Sequence, residues 1–178
     1  MPKICPCEVP PNSLLSHYKD GHGYADCYVV EVYGVISQAM FIEAFYTSPL
    51  FKVERSILAH LAQKSASDAD VRQLANGKTV TFSAWNVEAQ SSAQLLLADS
   101  TGRTRSWLMA LPVTENNQQT STLLYFGSAV VRRQTKAADK PRMGWGFYAL
   151  LGFHRLYSRL LLAAASKRVQ AALHDRKV

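Results

Sequence analysis

Residues 143–173 read MGWGFYALLGFHRLYSRLLLAAASKRVQAAL. Gly146, Leu150, Phe153, Tyr157, Leu160, Leu161 and Ala164 recur at spacings of three and four, which puts them on one face of a helix. Arg155, Ser158, Arg159, Ser166 and Gln170 fall on the opposite side. At about 1.5 Å per residue such a helix reaches about 45 Å, enough to cross a small domain. What it crosses is set by the segments before it.

Residues 24–35 read as a first strand, rich in β-branched and aromatic residues. Ser37 caps a helix carrying Met40, Phe41, Ala44 and Phe45. Pro49 opens a second helix with Leu50, Val53, Ile57, Leu58 and Leu61 as its apolar stripe. Ser67-Asp68-Ala69-Asp70 starts a short third helix, which Asn76-Gly77 closes. From Lys78 the period changes to two. Strands are expected at 79–89, 94–99, 103–113 and 123–132, joined by short turns, as in an antiparallel meander. The order is β-α-α-α-β-β-β-β-α. This predicts an α+β fold with an antiparallel sheet of about five strands packed on the long C-terminal helix, the helix-grip arrangement. Residues 1–23, with four prolines, read as an irregular N-terminal segment; 24–178 read as one α+β domain.

Composition narrows the class. The chain has 178 residues, 48% hydrophobic and 19% charged, as a folded globular protein does. No run of about 18 apolar residues suggests a spanning helix, and Met1 to Pro11 does not read as a secretory leader. Three cysteines at irregular spacing point to a reducing, cytoplasmic setting. Cys5, Cys7 and Cys27 with His22 would be a poor zinc set, so neither metal nor cofactor is expected. Eleven Lys and Arg against two Asp lie between Arg132 and Val178, while the remainder of the chain is slightly acidic. Together with Trp145, Phe147 and Tyr148, this end would suit an anionic membrane surface or a partner protein. The plainer reading is a solvated basic face and aromatics that plug the core. Nucleic acid is not expected as a partner, and the sequence is silent on oligomeric state.

Tyr24-Ala25-Asp26, FIEAFYTSP at 41–49, GRTRSWLM at 102–109, LYFGSAVV at 124–131 and LLGFHRLY at 150–157 resemble a bacterial family of uncharacterised proteins. Its relatives occur alone and fused to short-chain dehydrogenase-like domains. The resemblance implies an α+β fold akin to START and polyketide-cyclase proteins, with an apolar ligand held between sheet and helix. It implies no particular reaction.

The candidate residues follow from both readings. Trp85, Arg105, Trp107, Met109, Tyr125, Phe126, Phe153 and Tyr157 are the expected lining of a site for a small apolar or amphipathic molecule. Arg105 could pair with a ligand carboxylate or phosphate. The alternative is that Arg105 is solvated and the aromatics are ordinary core. His154 and Asp26 are the candidate proton carriers of a cyclase- or hydrolase-like reaction. His154 could instead be a helix-surface histidine bonded to a neighbouring strand. Glu88 is another acid within a predicted strand, and a paired-carboxylate mechanism would need it beside Asp26. No phosphate loop, nucleophile elbow or HExxH is present.

Overall fold

The computed structural model describes residues 3–19, 24–53, 66–114, 120–131 and 145–175, the last with side chains from 154 onward. Seven antiparallel strands form one sheet: β1 (Cys5–Pro6), β2 (Tyr24–Tyr33), β3 (Thr81–Phe82), β4 (Trp85–Gln90), β5 (Gln94–Asp99), β6 (Thr104–Thr114) and β7 (Thr120–Val130). Their order is β1-β2-β7-β6-β5-β4-β3. Among the described residues three helices have both ends defined: α1 (Gln38–Tyr46), α2 (Asp68–Ala75) and α3 (Trp145–Asp175). The α+β class and the C-terminal helix agree with the sequence reading; the strand count of about five does not. The two extra strands, β1 and β3, are two residues each, too short to carry a periodic signal. The expected strand over 79–89 is broken by Ser83, whose φ of 53° reverses the chain between β3 and β4 without a glycine to announce it.

Local chemistry explains the helix ends. Ser37 Oγ accepts from Met40 N at the start of α1. At α2, Ser67 Oγ accepts from Asp70 N, and Asp70 Oδ2 accepts from Ser67 N, a complete capping box. Gly77, at φ +67°, follows the last turn of α2. Residues 49–53 are helical after Pro49; Ile57, Leu58 and Leu61 lie outside the described residues.

Both faces of the sheet are covered, and side-chain alternation decides what goes where. The inner face presents Tyr28, Val30, Val32, Leu95, Leu97, Leu108 and Phe126 to the helices. The outer face presents Cys27, Leu96, Trp107, Met109 and Ala129 to Val9, Leu14, Leu15 and Tyr18. Residues 3–19 therefore form a strap. They supply β1 and, after Ser13, a 3₁₀ turn at Leu14–Tyr18, where the sequence Asn12-Ser13-Leu14-Leu15 allows a short helical turn. Trp107 Nε1 donates to Gln94 Oε1, which also accepts from Leu14 N, so one glutamine ties strap and sheet together.

The helix α3 packs on α1, β2 and β7. Its buried face differs from the expected one. Ser158, Leu161, Leu162, Ala165, Ser166 and Val169 are buried, whereas Leu160 is 49% exposed. Small side chains let the helix approach closely, and Ser166 Oγ donates back to Ala163 O, removing its need for water. A serine in this stripe is thus a spacer rather than a sign of solvent. Near the other end of α3, Leu173 lies against Gly34, and Arg168 donates to Thr47 Oγ1. Among the described residues no helix is long and apolar enough to cross a membrane.

The strap fits closely at Gly127. A Cβ there would lie 2.5 Å from Leu15 Cδ2, 2.9 Å from Asp26 O and 3.1 Å from Trp107 Cε3. Gly127→Ala should destabilise the protein by about 2 kcal/mol through overpacking, read as a lower urea midpoint. An unchanged midpoint contradicts this seating of the strap.

Candidate functional site

A cavity of about 420 Å³ lies between the inner face of the sheet and α3. Phe45 from α1, Phe51, Phe126 from β7, and Tyr157 and Leu161 from α3 give it apolar walls. The rings form one packed group: Phe45 lies 4.8 Å from Phe126 and 6.1 Å from Phe51, centroid to centroid. Rings held at these distances brace one another, so this wall is built before any ligand arrives.

Polar groups gather where β7 meets α3. Register places Asp26 of β2 directly opposite Ser128 of β7. Ser128 Oγ donates to Asp26 Oδ1 at 2.6 Å and lies 2.7 Å from His154 Nε2. With the hydroxyl proton committed to the carboxylate, Ser128 accepts from His154 Nε2–H. In that tautomer Nδ1 is the ring nitrogen without a proton. His154 Nε2 is 3.9 Å from Asp26 Oδ2. The Asp26 side chain is only 10% exposed. Tyr24 OH donates to Asp26 Oδ2 at 3.1 Å and accepts from Arg155 Nε at 3.0 Å. Burial, then the Asp26 charge, pushes the Tyr28 phenol up to about 12, so it stays a neutral donor.

This is not a nucleophilic triad. The serine sits between the histidine and the carboxylate, rather than at the end of the chain. Chemically the group is a histidine whose position and proton are controlled by a carboxylate through a hydroxyl.

The candidate residues divide by face. Trp85, Phe126, Tyr157 and His154 line the cavity, and Asp26 joins them through Ser128. Trp107, Met109 and Tyr125 belong to the outer cluster under the strap, away from the cavity. Arg105 borders the cavity through its place on β6, but its guanidinium is committed elsewhere. Its Nε donates to Tyr18 OH and pairs with Glu88 Oε2 at 2.7 Å, its Nη1 donates to Gly102 O, and it stacks 4.8 Å over the Tyr18 ring. Glu88 is held there by Tyr18 and Arg105, on the other side of the sheet from Asp26, so the two acids do not form a pair. The side chains of Phe153, Trp145, Phe147 and Tyr148, and all of His22, lie outside the described residues. Among the described residues no group of three or more His, Cys, Asp or Glu is placed to hold a metal.

Ser128 was not evident as a site residue. The GSAV run names it only once the strand register sets it opposite Asp26. Trp85 Nε1 and Ser158 Oγ, both on residues lining the cavity, are buried and have no hydrogen-bond partner among the described residues. Unsatisfied groups of this kind carry a cost of about 1–3 kcal/mol each.

Asp99 closes the turn at the cavity's border. Its Oδ1 accepts from Arg103 N and Thr104 N, and its Oδ2 from Thr101 Oγ1. Partial burial alone would raise its pKa; these bonds outweigh it and hold the carboxyl below its ordinary value. A depressed carboxyl stabilises the fold above the unfolded pKa, and the benefit is lost as pH falls through the folded pKa. Asp99→Ala should therefore cost about 1 kcal/mol at pH 7. The gap between the two urea curves should narrow below about pH 4. A gap independent of pH contradicts the assignment.

Ser128→Ala and His154→Ala should be coupled. A double-mutant cycle on denaturant unfolding should give an interaction free energy of about 1 kcal/mol. Additive effects would mean that the Ser128–His154 contact contributes nothing in solution.

No protein-family model matches the chain, and no curated protein is significantly similar to it in sequence.

Proposed function

We propose that this protein binds a small apolar or amphipathic molecule in the cavity between the sheet and α3. The START-like, helix-grip kinship implied by the sequence resemblance belongs to the same proposal, as does a cytoplasmic setting. One observation carries the reading: a cavity of about 420 Å³ with aromatic and aliphatic walls and a polar cluster at one side. That combination is the usual form of a small-molecule site, where apolar walls supply affinity and a few fixed polar groups set orientation. His154, Ser128 and Tyr157 are the groups that would meet a ligand's polar end, and no cofactor is required.

The His154–Ser128–Asp26 cluster supports a second reading, acid–base catalysis on the same ligand. A histidine held at its Nε2 and open at Nδ1 can take a proton from a bound substrate and return it. Binding is the simpler claim, because it needs only the cavity.

Native mass spectrometry of gently purified protein should reveal a bound small molecule, released on denaturation. Ala84→Trp, which places an indole at the cavity lining, should abolish the adduct while the fold persists by circular dichroism. An adduct retained by Ala84→Trp would place the ligand elsewhere. Absence of any adduct, with no binding of medium-chain fatty acids or alcohols, would overturn the reading. If catalysis also occurs, His154→Gln should stop turnover and keep the adduct; turnover that survives rules out His154 as the proton carrier.

A further inference from the structure

Cys7 and Cys27 face each other where the strap meets β2. Cys7 N donates to Cys27 O at 3.0 Å, and the two sulfurs are 3.2 Å apart. Cys27 is 3% exposed, whereas Cys7 is half-buried. The remaining cysteine, Cys5, pairs in register with Val29. A second pocket of about 520 Å³ borders the pair: Cys7 and Cys27 line it, together with Arg155 and Arg159 of α3. Closing a sulfur–sulfur bond of about 2 Å from this separation needs sulfur movement of about 1 Å.

We propose that Cys7 and Cys27 are a modification site for hydroperoxides, with Cys7 the attacking thiol and Cys27 the resolving one. The disulfide they form fastens the strap to the sheet. The two sulfurs are unequal in the sense this requires. The hydrogen bond between the two sulfurs holds the Cys7 thiol below its ordinary pKa, although burial opposes it. The same hydrogen bond, then burial, pushes the Cys27 thiol up, so it keeps its proton. A more acidic, more accessible thiol beside a protonated partner is the pattern of an oxidation-sensitive cysteine.

The chemistry balances. Cys7 thiolate attacks one peroxide oxygen, the O–O bond breaks, and hydroxide leaves as Cys7 becomes a sulfenic acid. Cys27 sulfur then attacks Cys7 sulfur, the S–O bond breaks, and the departing hydroxide takes the Cys27 proton as water. Two sulfurs are oxidised and one peroxide is reduced. The closed loop contains Val9, Leu14, Leu15 and Tyr18, the residues that cover the outer cluster. Oxidation thus converts a strap held by packing into one held covalently, and a thiol reductant restores the first state.

The test uses the reduced full-length protein and hydrogen peroxide. After oxidation the intact mass should be lower by about 2 Da; subsequent alkylation with a maleimide and peptide mapping should find Cys7 joined to Cys27 and Cys5 alkylated. Dithiothreitol should reverse the change. Cys5→Ser should leave the reaction unchanged. Cys27→Ala should accumulate a dimedone-reactive sulfenic acid at Cys7 in place of the disulfide. Backbone amides of Leu14 and Leu15 should exchange more slowly in the oxidised form, by a factor on the order of ten. A disulfide involving Cys5, oxidation of all three thiols at one rate, or Cys7 passing to sulfinic acid in the unmodified sequence would overturn the site. Equal amide exchange in the two forms would overturn the fastening role. The mapping needs no variant, so a Cys27→Ala protein that fails to fold leaves the site testable.

Discussion

Side-chain alternation along β2, β6 and β7 is the constraint on which the other features rest. These strands pair over ten and eleven residues, so a slip of one residue would exchange the contents of the two faces. Both faces are apolar, and each has its own cover. Helices lie over Leu108, Phe126 and Tyr28; the strap lies over Trp107, Met109 and Cys27. The cavity lined by Phe45, Phe126 and Tyr157 therefore lies on the helix side. The outer side is filled by Leu15 against Gly127 and Trp107.

That two-sidedness explains where the sequence was legible. Alternation correctly groups Arg105, Trp107 and Met109 on one face. Nothing in the strand says which face looks at the helix, because Ser106 and Leu108 are buried, as Trp107 is. The larger residues suggest the ligand side, and they prove to be the strap side. The strap itself is hard to read, since its prolines and polar residues give no period; its contribution is a few apolar contacts and Gln94. Helix ends were legible because their signals are local: Ser37, the Ser67–Asp70 box and Asn76-Gly77 act within four residues.

The long helix is a mixed case. Its existence follows from length and composition, but its buried stripe runs through Ser158, Ala165 and Ser166 rather than through Leu160. Hydrophobicity rewards leucine, whereas close packing against α1 and β2 rewards small volume. The same rotation brings His154 to Ser128. His154 and Asp26 could be singled out individually as polar residues in apolar surroundings. Their connection could not, because it passes through a hydroxyl 102 residues from Asp26 and 26 from His154. Only strand pairing brings the three together.

The central claim is that a small amphipathic molecule enters on the helix side of the sheet and not on the strap side. Two tryptophans report on the two sides. Trp85 lines the cavity, while Trp107 Nε1 is bonded to Gln94 beneath the strap. In ¹⁵N-labelled protein titrated with a medium-chain fatty acid, the indole resonance of Trp85 should move in a saturable way, and that of Trp107 should stay in place. Movement of Trp107 with Trp85 unperturbed would place the ligand on the wrong face and contradict the account.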